Sequence, residues 1–220
     1  MNPSAARQTS PAAEPASLAQ SAVPQSLEGF RSVGQDITIW PMARVVGRGA
    51  ISIGDSVIVD DFAFIVGGQR TEIGSFIHIA SFVSITGGGK FLMEDFSGIS
   101  AGSRVYTGNE DYLGGCLTNP TIPAPYRVAR RSFVRIGRHA IIGANSVILP
   151  GVTLGEGCVV GAGSLVNRDC EPWTVYVGSP ARPMKARRRD RIEQLESEFR
   201  RVAYGPDGRY IANSLRGGRA

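Results

Sequence analysis

Two histidines, His78 and His139, are the only imidazoles in the 220 residues. Histidine is the side chain best matched to taking and returning a proton near neutral pH, so each is a candidate general base. Carboxylates that could orient such a base or hold polar hydroxyls lie in two places: Asp60 and Asp61, shortly before His78, and Glu110 and Asp111 in the polar stretch Asn109–Tyr112. A catalytic zinc site of the three-histidine kind needs three imidazoles, and two on different positions of the chain do not supply it, so no metal is expected. Cys116, Cys158 and Cys170 form no CxxC pair and no disulfide framework, which points to a reducing compartment.

The elements that must hold these groups follow from a repeat of six residues running from about Val33 to Val177. The clearest units are IGRHAI, IGANSV, ILPGVT, LGEGCV and VGAGSL, opening at Ile136, Ile142, Ile148, Leu154 and Val160. Earlier units open at Ile53, Val59, Ile65, Ile73, Ile79, Ile85, Met93, Ile99 and Val105. A period of six is neither helical nor that of a simple two-sided strand. It predicts a short strand and a turn, with one apolar side chain per strand facing inward. Three strands then close a triangular coil of about 18 residues. Ile136 to Leu154 is 18 residues; Ile53 to Ile73 and Ile73 to Met93 are 20 each, with the Gly-rich turns VGGQRT and TGGGKF taking up the difference. Met93 to Ile136 is 43, one coil plus an insertion of 25, placed at about 106–132. A loop that long in a regular solenoid usually serves function.

The expected division is a flexible Ala/Pro/Ser-rich arm over 1–27, a β-helix domain over 28–181, and a basic segment over 182–220 with a short helix. In that helix Asp190 and Glu193 suit a capping box, and Ile192, Leu195 and Phe199 share a face. The helix reads as a lid on the open end of the solenoid.

The segment IGRHAIIGANSVILPGVTLGEGCVVGAGSLV and the exit EPWTVYVGSPARPMKAR resemble the hexapeptide-repeat acyltransferases, and the insertion DYLGGCLTNPTIPAPYR is similar to bacterial sugar O-acetyltransferases of surface-polysaccharide pathways. The resemblance implies an all-β, left-handed parallel β-helix with a long inserted loop. It implies acetyl-CoA as co-substrate, a homotrimer binding it between subunits, and a catalytic histidine. Galactoside- and maltose-type relatives carry that histidine in the long loop. Here the loop has Asn109, Glu110, Asp111 and Tyr112 but no histidine.

Equal positions in stacked coils form columns. One reads Ile58, His78, Gly98, Ile141, Val159; a neighbour reads Asp61, Ser81, Ala101, Ala144, Ala162. Ala101, Ala144 and Ala162 would make a smooth track for a pantetheine arm, and Ala144 and Ala162 match family positions lining it. From the coil of His78 to that of Ala162 is roughly 14 Å at about 4.8 Å per strand. Arg182, Lys185 and Arg187 beyond the far end suit the coenzyme phosphates. His78, at the thiol end, is then the candidate base, Gly98 above it leaves room for the reacting group, and Asp60, Asp61 or Asp111 could assist. Asn109, Glu110 and Tyr112 would meet the acceptor. Equally, His78 could be a structural turn residue, and small residues suit β-helix turns in any case. His139 reads as an exposed, mid-strand residue.

Net charge is +5, modest and crowded toward the C-terminus, which a small polyanion explains as well as nucleic acid does, and no nucleic-acid partner is expected. No apolar run reaches membrane-spanning length, and residues 1–25 lack a signal-peptide apolar core, so a cytoplasmic protein is expected. The functional expectation is acetyl transfer to a sugar hydroxyl. The alternatives are N-acetylation of a nucleotide-linked amino sugar and a non-catalytic assembly protein.

Overall fold

Isoleucine and valine alternate with polar residues over three or four positions at a time, so each short strand has two sides of opposite character. Ile51 and Ile53, Val57 and Val59, and Ile77 and Ile79 are buried, and the residue between each pair faces outward. The strands of the wider coils thus bury two side chains each rather than one, because an extended backbone returns to the same face every second residue.

In the computed structural model, which describes residues 23–211, these strands stack as a left-handed parallel β-helix of about 7 turns. The first sheet takes Ser32–Val33, Ile51–Ile53, Arg70–Ile73, Lys90–Met93, Phe133–Ile136 and Val152–Leu154. The second runs from Ile37–Ile39 through Val57–Val59, Ile77–Ile79, Gly98–Ile99, Ile141–Ile142 and Val159–Val160 to Thr174–Val177. The third runs from Arg44–Val46 to Leu165–Val166. Within the first sheet Ser52 pairs with Glu72, Glu72 with Leu92, Leu92 with Arg135 and Arg135 with Thr153, as the repeat spacing requires.

The core is a column of aliphatic layers, with Ile79, Ile99, Ile142 and Val160 all at 1% exposure or less. Truncating one such isoleucine to alanine costs about 2–5 kcal/mol. Ser103, Ser146 and Ser164 interrupt this apolar column at one corner. Their hydroxyls are satisfied: Ser103 Oγ donates to the Gly143 carbonyl and Ser146 Oγ to the Gly161 carbonyl, each at 3.0 Å, and Ser164 Oγ accepts from the Gly178 amide at 3.1 Å.

The insertion leaves after Tyr106 and rejoins at Phe133, its base closed by an antiparallel pairing of Gly108–Asn109 with Arg130–Arg131. Gly89 lies under that base. A Cβ there would stand 2.1 Å from the Ser132 carbonyl oxygen and 2.2 Å from that of Thr107, so only glycine fits.

The expectations about the two ends need correction. The arm expected over 1–27 falls mostly on residues 1–22, outside the described residues. Gln25, however, is tied down: its amide donates to the Ile39 carbonyl and its side chain to the Trp40 carbonyl, while Leu27 packs on the core. The basic segment does not begin a separate region at 182, because Arg182–Ala186 pairs antiparallel with Thr174–Val177 and extends the second sheet. The helix Asp190–Ala203 carries no capping box; Arg189 is its N-cap residue, without a side-chain cap, and Glu193 instead pairs with Arg189 at 2.8 Å.

Nor is the helix a lid on the end of the solenoid. It runs back along one corner of the prism. There the stacked rings of Phe76 and Phe96, 4.8 Å apart, receive the edge of Phe199. Glu196 reaches His139 at 2.7 Å and Arg138 at 3.0 Å, and Arg200 reaches Asp95 at 3.1 Å. His139 is correspondingly a buried turn residue with φ 59°, not an exposed strand residue.

Candidate active site

Ile77 and Ile79 both point into the core, so the two-residue period forces His78 outward from the second sheet. Its side chain is 56% exposed, and Nε2 lies 2.9 Å from Oδ2 of Asp60, one coil below. An ionised carboxylate has no hydrogen to give. Nε2 is then the donor in this pair, and in a neutral imidazole so held the lone pair lies on Nδ1.

The column through His78 is as the repeat arithmetic required: Ile58, His78, Gly98, Ile141 and Val159 are successive strand partners. Gly98 needs no glycine for packing. A Cβ there would meet nothing closer than the His78 carbonyl oxygen at 3.8 Å. Its small size thus keeps the surface above His78 open rather than relieving a clash.

Asp61 and Asp60 part company at the turn. Asp61 Oδ1 accepts the Met42 amide at 2.8 Å, so the carboxylate that meets the imidazole is Asp60 and not Asp61. Asp111 is turned into its own loop, 8% exposed, where it accepts backbone N–H groups from Leu113, Gly115 and Cys116. Those amides, Leu113 and Gly115 foremost, outweigh partial burial and hold its carboxyl below the usual aspartate range. It suits anchoring the loop better than taking up protons near neutrality. Glu110 is likewise engaged, by the Arg127 Nε at 3.0 Å to both carboxylate oxygens. Asn109 and Tyr112 stay exposed, Tyr112 at 79%.

Ala101, Ala144 and Ala162 stack in successive coils with side chains at or near the surface. The carbonyls of Ala101 and Ala144 already accept the Asn145 and Gly163 amides, so they serve coil stacking first. Arg182 and Lys185 are exposed on the last strand of the same sheet, past the Val159 position. Arg187 differs. Its Nη1 donates to the carbonyls of His139 at 2.7 Å and Gly157 at 3.0 Å, and burial lowers its pKa. That geometry fastens the last coils and spends much of the guanidinium that was expected to meet a phosphate. The structure thus brings Ala101, Ala144 and Ala162 into one column, with Arg182 and Lys185 exposed beyond its far end.

Residues 133–168 match the model of the bacterial transferase hexapeptide family (six repeats). The chain is 42% identical to the S84T mutant of AntD, an N-acyltransferase from Bacillus cereus solved in complex with dTDP and coenzyme A. It covers 91% of that chain and 78% of its own length, with a TM-score of 0.74. The chain belongs to the hexapeptide-repeat acyltransferases. Within that family it is 43% identical over 117 residues to the dTDP-4-amino-4,6-dideoxy-D-glucose acyltransferase of Escherichia coli, a match spanning 53% of this chain and 60% of that relative's length. A maltose O-acetyltransferase from Clostridium difficile shares the fold at a TM-score of 0.50 and 25% identity, over 73% of this chain and 71% of that one.

The sequence reading places Asp61 among the catalytic residues with Asp60 only as its alternative, and the structure gives the contact to Asp60. The signal was only its place one coil below His78, and the turn dihedrals that separate two adjacent aspartates are not written in residue type. Phe62 and Phe82 were missed altogether, although they stand in one column, one position after Asp61 and Ser81.

Proposed function

We propose that this protein transfers an acetyl or other short acyl group from coenzyme A to the amine of a nucleotide-linked amino sugar. The observation that carries this reading is the 42% identity to the N-acyltransferase AntD over 91% of its length. The exposed His78–Asp60 pair beside Gly98 would act as the general base for either an amine or a hydroxyl acceptor. The acyl-CoA would enter along Ala162, Ala144 and Ala101, with its phosphates near Arg182 and Lys185 and its thioester near Gly98.

The acceptor nitrogen attacks the thioester carbonyl carbon, forming a C–N bond as the C–S bond breaks. The nitrogen's proton passes to Nδ1 of His78 and from there to the departing sulfur, which leaves as the free thiol. Asp60 holds the imidazole in the tautomer that can accept it and steadies the imidazolium.

A homotrimer with sites between subunits, and a cytoplasmic setting in keeping with three free thiols, belong to the same proposal. Among the described residues no helix is long and apolar enough to cross a membrane. Transfer to a sugar hydroxyl is the second reading. The His78–Asp60 pair favours it specifically, because a hydroxyl depends on a general base more heavily than a neutral amine does.

The test is release of free thiol from acetyl-CoA against a panel of nucleotide-linked 4-amino sugars, the corresponding 4-hydroxy sugars and nucleotide-free amino sugars. Turnover confined to the amino sugars supports N-transfer. Turnover with hydroxy sugars alone makes the second reading correct, and thiol release with none of them removes both.

A further inference from the structure

Four phenylalanines of this chain sit in turns with positive φ: Phe62 (64°), Phe76 (58°), Phe82 (62°) and Phe96 (59°). A bulky residue is strained in that region, where glycine and asparagine are at ease. The same turn column that holds Phe62 and Phe82 has Gly102, Asn145 and Gly163 in later coils, Gly102 and Gly163 also at positive φ and Asn145 at 56°. Two corners of the prism thus each carry a pair of phenylalanines where a small residue would fold more easily.

The pairs are built alike. Phe76 and Phe96 stack at 4.8 Å with planes 10° apart, and Phe62 and Phe82 stack at 5.0 Å with planes 6° apart. The first pair has an evident purpose. Phe199, Tyr204 and Tyr210 set their edges on Phe76, and Arg200 lies over Phe96, so that pair seats the C-terminal helix. The second has no such cover among the described residues: Phe62 is 46% and Phe82 56% exposed. Yet its turn is fastened, because Arg104 Nη1 donates to the carbonyls of Phe82 at 2.6 Å and Gly102 at 2.7 Å.

Position decides what the open pair would hold. Phe82 follows His78 by four residues in the same coil, and Phe62 follows Asp60 by two in the coil below. The pair therefore stands beyond the His78 end of the alanine track, on the side that the acyl donor leaves to the acceptor. Arg44, exposed on the adjoining third sheet beside Phe64, brings positive charge to the same region.

We infer that Phe62 and Phe82 form a stacking platform for the heteroaromatic base of the acceptor nucleotide, with Arg44 near its diphosphate. This deepens the proposed function and rests on its nucleotide-linked acceptor. A rigid ring pair held ready by a strained but pinned turn binds a planar base without ordering cost. It reads the base as a flat surface and so recognises the nucleotide rather than the sugar.

The test compares the wild type with Phe82→Asn, which places in the turn the residue type already found at Asn145, and with Phe82→Trp. Binding of thymidine diphosphate alone is measured by calorimetry. The preference for a nucleotide-linked amino sugar over the same amino sugar 1-phosphate is measured as a ratio of kcat/KM. Phe82→Asn is expected to weaken thymidine diphosphate binding and shrink that preference by roughly 10- to 100-fold, the loss of one base–ring stack, while Phe82→Trp retains both. Melting temperature should hold or rise in Phe82→Asn, since strain is relieved. Unchanged nucleotide affinity in Phe82→Asn overturns the platform. So does a variant that dissociates into monomers, which would make the pair a subunit contact. A wild type that binds thymidine diphosphate through Phe82 but acylates no nucleotide-linked amino sugar keeps the platform and removes the proposed reaction.

Discussion

At the residue scale, the His78–Asp60 pair is the part of the site with the most specific geometry, and its two members should fail differently. His78→Asn removes the proposed proton acceptor and is expected to lower kcat by roughly 10²- to 10⁴-fold. The melting temperature should barely move, because the side chain is 56% exposed. Asp60→Asn keeps an acceptor for Nε2–H but loses the charge that stabilises the imidazolium, so its kcat should fall less than that of His78→Asn. Steady-state kinetics of both variants decides; a near-normal kcat in His78→Asn rejects it as the base. His78 was legible in the sequence because a polar residue interrupts an apolar column. His139 was misplaced, although the same column arithmetic aligns it with Phe76 and Phe96, two residues before the outward strand position in each coil. That column is a turn column, and its members take positive φ.

At the scale of elements, the last strand and the helix that follows it do separate work. Arg182 and Lys185 lie exposed on the last strand of the second sheet, where the coenzyme phosphates are proposed to lie. Replacing both with glutamine should raise the KM for acetyl-CoA severalfold and flatten its dependence on salt, since charge attraction to phosphates is screened. Arg187, bonded to two carbonyls, should instead lower the melting temperature when truncated.

The helix is held at its middle by Glu196. Burial would raise that carboxyl, but hydrogen bonds from Arg200 and His139, together with the charge of Arg138, outweigh it and hold the pKa below the ordinary glutamate value. A carboxyl depressed in the folded state stabilises fully above its unfolded pKa, about 4.3. That stabilisation is lost as pH falls through the folded value. The helix should therefore loosen below about pH 4, measured as faster amide exchange over residues 190–203, and Glu196→Gln should loosen it already at neutral pH. The helix was legible from its apolar spacing. Its seat was not, because nothing in a single helix says whether it caps an end or lies along an edge.

At the scale of the whole molecule, the solenoid and its register were readable from spacing alone, because every coil repeats one constraint and errors would accumulate visibly. The assembly is less visible in the sequence, since outward residues carry no period. The third sheet nevertheless presents Val46 and Phe64 outward at 41% and 38% exposure. If the proposed trimer packs on this sheet, Phe64→Asp should give monomers by sedimentation and abolish turnover with little loss of β-sheet signal. A trimer unaffected by that change would place the contact elsewhere.

Leu92 and Arg135 are strand partners in register, and the loop between them closes on itself through Gly108–Asn109 and Arg130–Arg131. The coils on either side are stitched together strand by strand and do not depend on the loop's covalent continuity. A protease cut at the exposed tip, near Leu113, should leave two fragments that travel as one particle. Two genes encoding residues up to the tip and residues beyond it should, when expressed together, reassemble a working solenoid. The fold can thus exchange whole loops as cassettes, acquiring new acceptors while the stacked coils beneath remain as they are.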